Sequence, residues 1–142
     1  MNLLLVLIII YLAFCSYADI KNKTIPLIPT IIISILTIVI QIINTMFYDT
    51  KLLSLIISFI PGLIMILLSV ITKECIGYGD SIILALCSIC IGALDGVFLI
   101  MCSFIYSAIF SLFLLIKGKK KHDTIPFIPF IFLSLIGYIL IN

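Results

Sequence analysis

The sequence predicts an all-α integral membrane protein with about six transmembrane helices. Apolar residues make up 65% of its 142 residues and charged residues only 10%, and the mean hydropathy is +1.50. A soluble domain needs a larger polar surface than this composition supplies. One transmembrane helix takes roughly 20 apolar residues, so six helices would occupy most of the chain. We therefore expect residues 1–142 to form a single membrane-embedded domain.

Six apolar runs divide the chain, and charged or turn-forming residues separate them. The runs are 2–17, 25–48, 52–71, 81–92, 97–116 and 125–141. The first could be a secretory signal, but no Lys or Arg precedes it and its lysines follow it. A signal peptide has the reverse arrangement, so we expect a retained first helix.

The fourth run has only 12 residues and would span about 18 Å of a hydrocarbon core roughly 30 Å thick. One continuous helix over 81–116 would instead be about 54 Å long. Asp95-Gly96 is a good turn pair, so we expect two antiparallel helices. A short fourth helix implies that its Asp80 end lies below the membrane face.

The charges predict the orientation in the membrane. Six crossings place seven of the eight lysines on one side and only Lys51 on the other. By the positive-inside rule the lysine-rich side is cytoplasmic and both termini are extracytoplasmic. Asp49 and Asp95 then lie outside. The cytoplasmic connections carry the remaining acids and the single histidine, namely Asp19, Glu74, Asp80, Asp123 and His122. The net charge of +2 does not indicate nucleic-acid binding.

Two related segments, TIPLIP at 24–29 and TIPFIP at 124–129, begin the second and sixth runs. In each we expect the threonine to be the N-cap and the first proline to lie in the first turn. The second proline, one turn further in, should bend the helix. These positions are Thr24, Pro26 and Pro29, and Thr124, Pro126 and Pro129. Pro61-Gly62 in the third run predicts a kink.

Asp19 and Asp80 are the candidate catalytic residues. A pair of carboxylates that shares one proton can activate water with one member and protonate a carbonyl with the other. Asp80 could instead simply cap the fourth helix, but Asp19 follows a helix, where the dipole disfavours a negative charge. From the dipoles we expect Asp80 to act as the base and Asp19 as the acid. Gly77 and Gly79, in the GYGD segment, give the backbone freedom for a close approach.

The cysteines give little indication of metal or redox chemistry. Cys87 and Cys90 form a C-x-x-C pair, but no second pair and no nearby histidine accompany them. Zinc sites need more ligands than this, so we expect small membrane-helix residues, with no metal and no cofactor. His122, inside a lysine run, is best explained as a solvated loop residue.

The segments YADIKNKTIPLIP (17–29), GYGD (77–80) and TIPFIPF (124–130) resemble those of the type IV prepilin peptidases. The resemblance covers essentially the whole peptidase core. It implies an integral aspartic peptidase of six to eight helices, in the cytoplasmic membrane, that removes a short basic leader from precursors of pilins and related secretion or flagellin subunits. It also implies that Asp19 and Asp80 are the catalytic pair. The length implies the compact form, which cleaves precursors but lacks N-methylation activity.

The expected substrate is a single apolar helix with a Lys/Arg-rich leader on the cytoplasmic side. Glu74 and Asp123 are the candidates for contacting that leader. The chain departs from the common family pattern at Leu27, Ile82 and Ile128.

Two rival functions stay open at this point. A small transporter could use the acids to relay ions, and a noncatalytic pilus-assembly scaffold would need neither acid. Transport favours acids at mid-membrane depth, whereas Asp19 and Asp80 lie at the ends of apolar runs.

Overall fold

The computed structural model describes residues 3–22, 26–47, 52–72, 77–117 and 126–141. They form six helices and, within these ranges, no strand, so the predicted all-α fold is confirmed. The helices are α1 (Leu3–Asn22), α2 (Leu27–Phe47), α3 (Leu52–Ile71), α4 (Tyr78–Ile91), α5 (Ala93–Ile116) and α6 (Ile128–Ile141).

Four helices, α1, α2, α3 and α5, are long and apolar enough to cross a membrane. The chain is therefore a multi-pass membrane protein. α4 and α6 have 14 residues each, or about 21 Å, which is shorter than the hydrocarbon core. The number of crossings and the orientation of the termini stay predictions.

α4 is the helix around which the others pack: it contacts α1, α2, α3 and α5, and α6 packs between α1 and α5. Leu12 of α1, Leu84 of α4 and Ile131 of α6 are completely buried in the shared core. In contrast, α2 and α5 carry exposed apolar side chains on their outer sides, such as Ile35 and Ile109. Such a surface is suited to lipid rather than water.

Small residues let α4 approach its neighbours closely. A side chain at Gly62 of α3 would overlap Ala85 of α4, and one at Gly96 of α5 would overlap Ser88 of α4. The Ser88 hydroxyl also donates a 3.0 Å hydrogen bond to the carbonyl oxygen of Ser58 in α3. Such contacts matter in a membrane, where burial of apolar surface gives helices little reason to associate.

Several helix ends differ from the predicted ones. α1 continues to Asn22, so Asp19 lies inside its last turn rather than after it. The turn between α4 and α5 is at Gly92, whose φ of +104° favours glycine, and the predicted Asp95-Gly96 turn lies in the first turn of α5 instead. The prediction of two helices in place of one long helix is confirmed.

The two proline segments are also shifted by a few residues. Because α2 begins at Leu27 and α6 at Ile128, Pro26 and Pro126 precede the helices, and Pro29 and Pro129 occupy the first turns. First-turn N–H groups have no partner inside a helix, so these prolines remove no helical hydrogen bond. Pro29 and Pro129 therefore give no reason to expect a bend in α2 or α6. Thr24 and Thr124 lie outside the described residues, and α3 continues through Pro61 as one helix.

Candidate active site

The site is built where the C-terminal end of α1 meets the N-terminal ends of α2, α4 and α6. These ends come together because successive helices of the bundle run antiparallel. Hydrogen bonds at the opposite end show the same alternation: the Tyr138 hydroxyl, near the end of α6, donates to Asp95 Oδ2, at the start of α5, at 2.9 Å. Asp19 and Asp80 therefore share one end of the bundle, and Asp95 lies at the other.

Asp19 is held by the backbone of α6. Its side chain is only 7% exposed, and its Oδ2 accepts a 3.1 Å hydrogen bond from the N–H of Ile128. Ile128, the first residue of α6, is itself completely buried. The side chain of Asp19 thus caps a helix that begins 109 residues later in the chain.

The local sequence explains why this N–H is available. Ile128 is the first helical residue, so its N–H has no acceptor within α6. The flanking prolines, Pro126 and Pro129, have no N–H at all. The next N–H groups, of Phe130 and Ile131, already bond to the carbonyl oxygen of Phe127. Ile128 therefore presents a donor that only another part of the chain can satisfy.

Asp80 lies in the first turn of α4, outside the four long apolar helices. The N-cap of α4 is Gly77 and makes no side-chain capping bond, so Asp80 does not occupy the capping position that was its alternative role. A Cβ on Gly77 would lie 3.1 Å from Asp80 Oδ2. The missing side chain of Gly77 therefore leaves room for the carboxyl group, while nothing in the structure explains Gly79.

The two acids have unequal environments. Burial raises the pKa of the Asp80 carboxyl from 3.8 to about 7, and the negative charge of Asp19 acts in the same direction. The Asp19 carboxyl group, by contrast, accepts a hydrogen bond from the backbone N–H of Ile128. The roles of base and acid predicted from helix dipoles stay predictions.

α1 also holds the start of α2. The Tyr11 hydroxyl donates a 2.6 Å hydrogen bond to Thr30 Oγ1, and the Thr30 hydroxyl donates to the carbonyl oxygen of Pro26 at 2.8 Å. The two Ile-Pro segments are thus both attached to α1, one through Tyr11 and the other through Asp19. The roles of Tyr11, Thr30 and the Ile128 N–H were not predicted from the sequence. Only the repeated Ile-Pro pattern could have drawn attention to them.

The remaining candidate residues contribute less. Glu74, Asp123 and His122 lie outside the described residues. Cys87 is buried in α4 and Cys90 is half-buried, and both are free thiols. Within the described ranges, no three His, Cys, Asp or Glu side chains are grouped so that they could hold a metal ion.

A cavity of about 420 Å³ lies near the other end of the bundle, away from the acid pair. It is lined by Leu53, Ser54, Ile57, Ser58, Gly92, Ala93, Leu94 and Asp95. Because none of the predicted site residues lines it, this cavity is separate from the candidate active site.

The environment of Asp80 gives a testable effect on stability. Folding raises the pKa of Asp80, so its ionised carboxylate is less favourable in the folded state than in the unfolded state. The free energy of unfolding should therefore fall as the pH rises from about 4 to about 7. We expect Asp80→Asn to remove this loss and to stabilise the protein by about 2–4 kcal/mol at pH 8, with little effect below pH 4, since each pKa unit corresponds to about 1.4 kcal/mol.

Thermal unfolding of the purified protein across this pH range measures the effect. Asp95→Asn, at the other end of the bundle, is the matched control. An equal pH dependence of the unfolding temperature in wild type and Asp80→Asn would show that the surroundings do not destabilise the ionised form of Asp80.

Comparison with known proteins gives one result. The model of the type IV leader peptidase family matches residues 6–141, nearly the whole chain. No curated protein and no solved structure matches it. The match includes both candidate acids and both Ile-Pro segments.

Proposed function

The chain belongs to the type IV leader peptidase family, and we propose that it is an aspartic endopeptidase that removes the basic leader from prepilin-like precursors. The observation that carries the proposal is the pair of acids at one end of the bundle. Asp19 is buried and bonded to a backbone N–H, and Asp80 is buried enough, and near enough to Asp19, for its pKa to be about 7. Near neutral pH such a pair can hold one proton.

One shared proton is what water-based cleavage of a peptide bond requires. The ionised carboxylate removes a proton from water as the oxygen attacks the carbonyl carbon, and the protonated carboxyl donates its proton to the carbonyl oxygen. When the C–N bond breaks, the leaving nitrogen takes up a proton from the pair. As the product C=O forms, a hydroxyl group of the tetrahedral intermediate returns a proton to the pair, which again holds one proton and is ready for the next cycle.

The proposed substrate is a pilin, pseudopilin or flagellin-like precursor with a Lys/Arg-rich leader and one apolar helix. Its helix would pack against the outer apolar side chains of the bundle, within the bilayer. The leader junction must unwind, since a helical peptide bond is closed to attack, and it would enter between the acids from the cytoplasmic face. Glu74 and Asp123 are the proposed contacts for the leader, and no methyltransferase activity is expected.

The position of the acids favours this function over ion transport. Asp19 lies in the last turn of α1 and Asp80 in the first turn of α4, whereas an ion relay would need acids deep in the membrane. A noncatalytic scaffold would give no reason for two acids to share one end of the bundle.

The proposal predicts cleavage by the purified protein alone. We expect the protein, in lipid nanodiscs, to cut a synthetic precursor with a lysine-rich leader, a glycine junction and an apolar helix. Mass spectrometry should find two products, divided at the leader junction, and a chelator should not reduce the rate. A precursor whose leader lysines are replaced by glutamate is the control. Cleavage within the apolar helix, or loss of activity with chelator, would contradict the proposal.

The proposed orientation has its own test. Reporter fusions after Lys23, Lys73 and Lys119 should read as cytoplasmic, and fusions after Asp49 and Gly92 as extracytoplasmic. Gly92 is the better position than Asp95 because α5 begins at Ala93. A cytoplasmic signal after Gly92 would mean that α4 does not cross the membrane, and the predicted topology would be wrong.

A further inference from the structure

We propose that the backbone N–H of Ile128 is a positioning group that holds the Asp19 carboxyl group as the water-activating base, with Asp80 as the acid of the pair. The inference rests on the proposed function and adds to it by assigning a separate role to each acid. It also gives the second Ile-Pro segment a task, which is to supply this N–H.

The geometry of α6 supports the assignment. The N–H of Ile128 is 3.1 Å from Asp19 Oδ2, and both residues are buried. A buried hydrogen bond to a charged acceptor is among the stronger ones in proteins. The start of a helix also carries partial positive charge, which favours a nearby carboxylate. Asp80 also lies at a helix start, in the first turn of its own α4, but in the described part of the chain no N–H of another helix donates a hydrogen bond to it.

Within the described residues, few other ionisable side chains lie on the helices packed around Asp19. Asp80 approaches from α4, and Cys15 lies one turn earlier on α1 and is influenced by the Asp19 charge. α2 carries no ionisable side chain, and the first one on α6 is Tyr138, at the far end of the bundle. Lys21 is exposed on α1. The backbone donor is therefore the only favourable partner for the Asp19 charge that α6 and α2 offer within the described residues.

The assignment fixes the direction of proton movement. Asp19 takes a proton from water while the Oδ–H of Asp80 protonates the substrate carbonyl. The pair then holds its single proton on Asp19. Transfer of that proton to the leaving nitrogen frees Asp19, and the proton on the carbonyl oxygen returns to Asp80 as the C=O bond of the product forms. Each carboxyl group thus regains its initial state within one cycle.

Infrared spectroscopy with isotope-labelled aspartate tests the assignment without any substrate. We expect a carboxylic-acid C=O band at about pH 6 that is lost by about pH 8, on either side of the pKa of about 7 of Asp80. Asp80→Asn should remove this band. Asp19→Asn should keep it, with its loss moved to lower pH, because burial is the larger cause of the Asp80 shift. Loss of the band in Asp19→Asn, or its survival in Asp80→Asn, would overturn the proposal.

A second experiment tests the N–H itself. Ile128→Pro removes this N–H at a first helical position, which proline tolerates, and Ile128→Val keeps it in a side chain of similar size. We expect Ile128→Pro to lower kcat/KM by about tenfold to a hundredfold, the value of one hydrogen bond to a charged group. The acid limb of its pH profile should also move to higher pH, because Asp19 would then be protonated more easily.

For Ile128→Val we expect an unchanged acid limb and less than about a threefold loss of rate. A reduced rate with an unchanged acid limb in Ile128→Pro would show a merely structural role and overturn the proposal. If Ile128→Pro does not fold, the infrared experiment decides. If wild type cuts no precursor, the infrared result still stands, so failure of the proposed function is distinguishable from failure of this inference.

Discussion

Asp19→Asn and Asp80→Asn should each lower the rate of leader cleavage by about a thousandfold or more, because Asn keeps the size of the side chain but cannot exchange the proton. The double variant should be little worse than either single variant, since residues that act as a unit are not additive. Single-turnover cleavage of the synthetic precursor in nanodiscs measures the rates. Binding of the uncut precursor, measured separately, should change little.

Asp95→Asn is the matched control for this experiment. It makes the same chemical change at the other end of the bundle, where Asp95 bonds to Tyr138, and we expect it to retain most of the activity. Near wild-type cleavage by purified Asp80→Asn would rule out the mechanism. Additive losses in the double variant would show that the two acids act in separate steps.

Gly62→Ala should destabilise the protein strongly, by about 1–3 kcal/mol or more, the usual cost of overpacking a filled interior. The new methyl group would overlap both the side chain and the backbone of Ala85 in α4, and backbone cannot rotate away. Because α4 carries Asp80, separation of α3 and α4 should also reduce cleavage.

Gly137→Ala is the control, since its Cβ would lie 4.0 Å from the Tyr106 hydroxyl, an ordinary contact. Here Ala should be neutral or stabilising by up to about 1 kcal/mol, because it is the better helix former. Thermal unfolding of both variants gives the comparison. Equal stability of the two variants would mean that α3 and α4 are not in close contact at Gly62.

The sequence was sufficient for the number and class of the helices because that information is local. Long apolar runs and the charges between them depend on neighbouring residues alone. Helix ends were less predictable: α1 continues through Asp19 to Asn22, and the turn before α5 uses Gly92 rather than Asp95-Gly96. A last helical turn and a following polar segment have similar compositions, so local patterns do not separate them.

The candidate site was predictable in its acids but not in their environments. Asp19 and Asp80 were identifiable because a carboxylate beside an apolar run is energetically costly unless it has a partner, water or a function. The backbone N–H that bonds to Asp19 comes from α6, and the burial that raises the pKa of Asp80 comes from the packing of the helices. Neither follows from the residues near Asp19 or Asp80 in the chain.

The hydrogen bond between Asp19 and Ile128 also has a consequence for biosynthesis. Asp19 belongs to α1 and its partner belongs to α6, so Asp19 leaves the ribosome well before its partner. During insertion into the membrane, Asp19 and Asp80 are both present before α6 has been made, but the donor for Asp19 is not. The hydrogen bond to Asp19 can therefore form only after α6 has been translated. If Asp19 is the base that we propose, a partly synthesised chain would lack the group that positions it, and cleavage should begin only after α6 has been inserted.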